Sequence, residues 1–138
     1  MYKALVETTL AIPRKKVFEA LVAFGGLEKV LPDTIRSVEV TGNGIGAERT
    51  IRLKDGGTVV ERLDVAHDDT IFGYTIIFND ALPIKNYCTV VILEDTGSDT
   101  IVRWGSNWDA ADGSTDGEVR EPLEGLYTTL LDPMHMLV

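Results

Sequence analysis

The chain is 138 residues long, 44% hydrophobic and 25% charged, which is the composition of one soluble globular domain over residues 1–138. Its formal charge of -9 and pI near 4.6 set it against nucleic acid and anionic membrane surfaces as partners. No apolar run is long enough for membrane insertion, and the single cysteine, Cys88, excludes an internal disulfide and fits a reducing cytoplasm.

Residues 2–12 alternate, with Tyr2, Ala4, Val6, Thr8, Leu10 and Ile12 on one face, and predict a first strand. The pattern starts at once, without a signal peptide's apolar core, so a cytoplasmic location is expected. Pro13 suits the first position of a helix whose apolar stripe is Val17, Phe18, Leu21 and Val22 and which ends near Gly25-Gly26. Arg14, Lys15 and Lys16 lie at its unfavourable end for the helix dipole. Residues 27–31 allow one more short helical turn before Pro32.

From residue 35 the pattern is strands separated by turns. In residues 35–41, Arg36 shares parity with Val38 and Val40. Residues 42–63 read as a glycine turn, a strand, a second glycine turn and another strand, which is a hairpin. One parity of its first strand holds Ala47, Arg49, Ile51 and Leu53, and the apolar parity of its second holds Val59, Glu61, Leu63 and Val65. The two sets share a face if the loop has odd length, such as Asp55-Gly56-Gly57 with Lys54 opposite Thr58; this sets Arg49 and Glu61 diagonally across the hairpin. Three charges, Arg36, Arg49 and Glu61, thus fall on apolar faces. Unpaired burial of a charge is costly. Either these residues form a salt-bridge network in a packed core, or their face lines a cavity that holds water and ligand.

Strands follow at residues 71–78, 86–94 and 100–109, with turns at Asp68-Asp69, residues 79–83 and residues 96–99. Short connections imply an antiparallel meander. Cys88, Val90 and Ile92 form an apolar outward face on the middle one of these strands, compatible with a homodimer contact or with tight neighbouring strands. A last helix follows residues 113–117. Pro122 is tolerable only in its first turn; Leu123, Leu126, Tyr127, Leu130 and Leu131 recur at helical spacing, and Asp132-Pro133 stops it. The expected architecture is α+β: a seven-stranded curved antiparallel sheet around a C-terminal helix, with two short helices after strand 1.

No motif brings a cofactor or metal. His67 and His135, the only histidines, have no ligand spacing with each other or with Cys88. The turn at residues 42–46 leads into a strand, so it is no dinucleotide fingerprint. No GxSxG, Walker or Cys-His-Asn arrangement occurs.

The turn Gly42-Asn43-Gly44-Ile45-Gly46, the runs Gly46-Ala47-Glu48-Arg49-Thr50 and Glu61-Arg62-Leu63-Asp64, the segment Gly73-Tyr74-Thr75-Ile76-Ile77 and Leu82-Pro83-Ile84-Lys85-Asn86-Tyr87 resemble the helix-grip superfamily. This superfamily includes START lipid-transfer domains, polyketide cyclases and aromatases, birch-pollen-allergen-like proteins and abscisic-acid receptors. The likeness covers nearly the whole chain and is nearest to the cyclase-like and receptor-like branches. It implies a cavity between sheet and last helix. It places Arg36 where the receptors carry a carboxylate-holding lysine, and it sets Glu61, Tyr74, Ile76 and Tyr87 on the cavity wall. The same resemblance turns Trp104, Ser106 and Trp108 inward, beneath the closing helix that carries Tyr127. It makes residues 54–58 and 82–85 the counterparts of the receptor's gate and latch, without its specific residues there. Arg36, Arg49, Glu61, Tyr74, Ile76, Tyr87, Trp104 and Tyr127 are the expected contacts of a small hydrophobic ligand, lipid- or polyketide-like, with an acidic or carbonyl group, while Trp108, near its strand end, is expected in the packed core. Two alternatives accompany this reading: a cyclase or aromatase, in which a tyrosine or the Arg49-Glu61 pair assists proton transfer, and a ligand-gated regulator of a protein partner.

Overall fold

The computed structural model describes residues 1–136. The elements are β1 (Ala4–Leu10), α1 (Arg14–Val22), α2 (Leu27–Val30), β2 (Ile35–Thr41), β3 (Glu48–Leu53), β4 (Thr58–His67), β5 (Ile71–Asn79), β6 (Ile84–Asp95), β7 (Thr100–Ala110) and α3 (Asp116–Leu131), followed by a 3-10 turn, Asp132–Met136. The strands form one antiparallel sheet in the order β1-β7-β6-β5-β4-β3-β2. The sheet curves around α3, as expected. Among the described residues, no helix is long and apolar enough to cross a membrane.

Local chemistry accounts for most boundaries. Asp68 and Asp69 both adopt positive φ (54° and 56°), and Thr70 N donates to His67 O at 3.0 Å. This turn matches the twist of the strands it joins, and Asp tolerates that conformation better than most residues. Between β3 and β4, Leu53 N donates to Gly57 O at 2.8 Å, leaving the three-residue loop Lys54-Asp55-Gly56 with Gly56 at φ +99°. The loop is odd-numbered, as the alternation requires, but lies one residue earlier than expected. Arg49 therefore pairs directly with Glu61 instead of diagonally.

Bulges reset the alternation in β2 and β4, and two expectations fail there. In β2, Ile35 pairs with Leu53 and Ser37 with Arg52, so Arg36 is the extra residue. Ile35 turns inward and is buried, whereas Arg36 is exposed; the inward position expected for Arg36 from simple parity is incorrect. In β4, the shift between Leu63 and Val65 turns Ala66 toward the core, while Val65 lies 3.6 Å from a Cβ built on Gly73, on the outer face. At the chain start, β1 begins only at Ala4. The Tyr2 ring lies on the outer face instead of the inner one: a Cβ on Gly105 would meet it at 2.6 Å.

Helix α3 starts earlier than Pro122 suggested. Thr115 caps it, its Oγ1 accepting from Glu118 N at 3.3 Å and donating to Glu118 Oε1 at 3.2 Å. This side-chain cap fixes the N-terminus and leaves Pro122 inside the helix, on an exposed face where water can reach the carbonyl it leaves unbonded. The buried stripe is Val119, Leu123, Tyr127 and Leu131. The helix is also tied to the outer edge of β1: Leu5 N donates to Glu124 Oε2 at 2.9 Å, and Arg120 Nε donates to Lys3 O at 2.6 Å. On β6, Cys88 is exposed and Val90 and Ile92 are half-buried on the outer face.

Candidate functional site

The inner surface of the sheet and the inner faces of α2 and α3 do not meet everywhere. Two adjoining hollows remain, of about 190 Å³ and 170 Å³. The first lies among Phe24, Phe72, Trp104 and Met134; the second lies among Ile35, Ile51, Ile76 and Leu126. Leu27, Arg49, Tyr74 and Leu130 belong to both walls, so these four form the waist between the two lobes.

Arg49 is the centre of that waist. Strand alternation turns it and Glu61 inward, and only 7% and 6% of their surfaces remain exposed. Arg49 Nε donates to Glu61 Oε1 at 2.8 Å, and Arg49 Nη2 donates to the same oxygen. Arg49 Nη1 lies 3.5 Å from the carbonyl of Phe24. The guanidinium carbon sits 4.1 Å from the Phe24 ring centroid and 5.4 Å from that of Tyr74, within cation–π range. Phe24 reaches this position because it ends α1 at φ +63°, a conformation that disfavours a bulky residue. A residue in strained backbone that grips a buried charge with both ring and carbonyl marks a constrained site.

A second polar feature runs beside it. Tyr87 Oη hydrogen-bonds Thr89 Oγ1 at 2.9 Å and the hydroxyl of Tyr127; Tyr127 Oη in turn donates to Ser106 Oγ at 2.7 Å. The Tyr127 ring stacks on Trp104 at 5.1 Å and 15°. All four hydroxyls are buried. Burial pushes the Tyr74 phenol up strongly, with the Glu61 charge as the next cause. Burial likewise raises Tyr87, followed by the neighbouring Tyr74 and Tyr127, and it raises Tyr127. These phenols stay neutral hydrogen donors at ordinary pH.

An alkaline transition follows. Three of the four tyrosines hold their protons to higher pH in the folded chain than in the unfolded one, whose phenols titrate at about 10. Their contribution to stability is complete below that pH and is lost as pH rises through the folded values. Phenolate absorbance is expected to rise together with loss of near-ultraviolet circular dichroism. Four phenols titrating near 10 in a still-folded protein would contradict this.

The sequence-derived residues separate clearly. Arg49 and Tyr74 stand at the waist, Trp104 lines the first lobe, and Glu61, Ile76 and Tyr87 line the second. Tyr127 is fully buried and stands behind the Trp104 wall. Arg36 lies outside both lobes, on the bulge of β2. Trp108 is packed core, 2% exposed, and its Nε1, like that of Trp104, is buried with no hydrogen-bond partner among the described residues. Sequence reasoning missed Phe24, which no periodicity marks, and the inward Thr89, which shares parity with Tyr87, Val91 and Leu93 and was open to detection. Thr58, at the end of the first of the two loops compared with gate and latch, is bonded to Asp80, two residues before the second: Thr58 N donates to Asp80 Oδ1 at 2.7 Å, and Asp80 N donates to Thr58 O at 3.2 Å. Among the described residues, no group of three or more His, Cys, Asp or Glu side chains is placed to hold a metal ion.

Comparison with known proteins agrees with this architecture. An uncharacterised protein from Bacillus thuringiensis has a similar structure, with TM-score 0.76, 25% identity and coverage of 96% of each chain. The protein Ara h 8.0201 superposes with TM-score 0.78 at 21% identity over 95% of this chain and 93% of its own. Norcoclaurine synthase from Thalictrum flavum, solved with dopamine and hydroxybenzaldehyde, gives TM-score 0.76 at 16% identity over 96% and 83% of the two chains. No curated protein matches in sequence. The family described as polyketide cyclase / dehydrase and lipid transport matches residues 1–135, and the chain is a helix-grip protein that belongs to that family.

Proposed function

We propose that this protein is a cytoplasmic binder of one small hydrophobic molecule, lipid- or polyketide-like and bearing an oxygen function such as a carbonyl or acid, held between the sheet and α3. The observation that carries the reading is the buried Arg49-Glu61 pair set into an otherwise apolar hollow. Small-molecule sites have mostly hydrophobic walls and a few convergent polar groups. Exposed, unpaired Cys88 fits a reducing compartment.

A neutral apolar fluorophore, N-phenyl-1-naphthylamine, tests it. Saturable binding at one molecule per chain is expected. It should be lost in Leu130→Trp, which fills the waist, while far-ultraviolet circular dichroism is retained. A fluorescence increase that never saturates, or one untouched by Leu130→Trp, would remove the hollow as the site.

A cyclase-type reaction is the second reading, favoured by the Tyr87 hydroxyl at the wall of the second lobe with the Tyr127, Ser106 and Thr89 hydroxyls behind it. Tyr127 donates its proton to Ser106 Oγ, so in the resting chain the Tyr87 proton is directed at Tyr127; turned toward the lobe, it would present a neutral donor to a carbonyl oxygen as charge develops there.

A further inference from the structure

We propose that the hollow takes an uncharged molecule with two apolar ends, each about one ring in size, joined by a middle that both donates and accepts hydrogen bonds. This rests on the binding reading above and narrows its oxygen function from a carbonyl or acid to an uncharged group. The shape comes from the two lobes. An apolar cavity of about 150 Å³ accommodates one benzene, and the lobes measure about 190 Å³ and 170 Å³. Each is a one-ring space, and they adjoin only where Arg49, Tyr74, Leu27 and Leu130 are shared.

The chemistry of the middle comes from what the ion pair leaves unused. A guanidinium carries five N–H donors; two of Arg49's are directed at Glu61 Oε1 and one at the Phe24 carbonyl. Glu61 receives both of those bonds on Oε1, and among the described residues no hydrogen bond is made to its Oε2. The boundary between the lobes therefore carries the remaining Arg49 N–H groups, with the Glu61 carboxylate beside them on the wall of the second lobe. A ligand spanning it satisfies both only if it brings an acceptor and a donor together.

Charge selects against an acid. Arg49 is already matched by Glu61, and Arg36, the other cation expected near the site, is exposed outside it. A carboxylate placed at the waist would add a second negative charge beside Glu61 with no further cation to balance it, in a site where desolvation is costly.

Isothermal titration with three matched compounds tests the proposal. Benzoin has two phenyl ends joined by a hydroxyl and a ketone; bibenzyl has the same ends and no polar group; 2,3-diphenylpropanoate has them with a carboxylate. Benzoin is expected to bind one per chain and at least about tenfold more tightly than either of the others, a factor of about 1.4 kcal/mol. Glu61→Gln removes the balancing charge and is expected to move the benzoin-to-carboxylate ratio toward the carboxylate by about tenfold or more. The wild-type ratio decides on its own if that variant does not fold. Equal or tighter binding of the carboxylate to the wild-type protein overturns the inference and leaves the hydrophobic-binder reading standing. So does saturable binding of N-phenyl-1-naphthylamine with no binding of benzoin. Failure of the fluorophore and all three compounds removes both.

Discussion

Glu61→Ala is expected to lower stability by about 3–5 kcal/mol, because it leaves the Arg49 guanidinium buried and unpaired. Only 9% of the Arg49 side chain and 8% of the Glu61 side chain are exposed, so solvent offers little compensation. Arg49→Ala should cost a comparable amount by stranding the carboxylate, although Glu61 can recover part of that by taking up a proton. The double change Arg49→Met with Glu61→Leu removes both charges and keeps the volume, and it should regain much of the loss, since buried pairs replaced by apolar groups are often near neutral. Urea denaturation of the four proteins measures each loss and the recovery directly. A Glu61→Ala loss below about 1 kcal/mol would mean that water reaches the waist and solvates the arginine.

Trp104→Ala should have an effect of similar size, about 3–5 kcal/mol, the usual range for deleting a buried large aromatic. Trp104 is 3% exposed, and its ring is stacked on Tyr127, so the substitution removes area from both sheet and helix. It also opens the first lobe. The protein is therefore expected to bind larger apolar molecules than the wild type while losing stability, and saturation with such a molecule should restore part of its melting temperature. A variant that unfolds at lower temperature and gains no stabilisation from larger ligands would show that the space collapses and that Trp104 acts only in packing.

The fold was readable because its strands alternate cleanly and its turns carry the residues their backbone needs. Asp68-Asp69 and the Gly56 loop are examples. The inward direction of Arg49 and Glu61 was readable for the same reason: an odd loop preserves their shared face even when it slides by one residue, which changes a diagonal pair into a direct one. Arg36 was misread because one inserted residue reverses every parity before it, and nothing in Ile35-Arg36-Ser37 announces the insertion. The position of Phe24 was also hidden. A helix is expected to release its chain at glycine, and Gly25-Gly26 stands immediately after; the structure instead places the left-handed turn one residue earlier, on an aromatic that the core needs. The start of α3 was available in Thr115 and Glu118, but Pro122 drew the boundary toward itself.

An open sheet has two outer rims that invite other chains to zip on, and here each rim is spoiled in its own way. Along β1, Glu124 and Arg120 of α3 already occupy the Leu5 amide and the Lys3 carbonyl. Along β2, the extra Arg36 interrupts the regular spacing that an incoming strand would have to match and sets a charged side chain there. A protein with an oily interior and seven strands thereby gains protection from sideways polymerisation without lengthening its sequence.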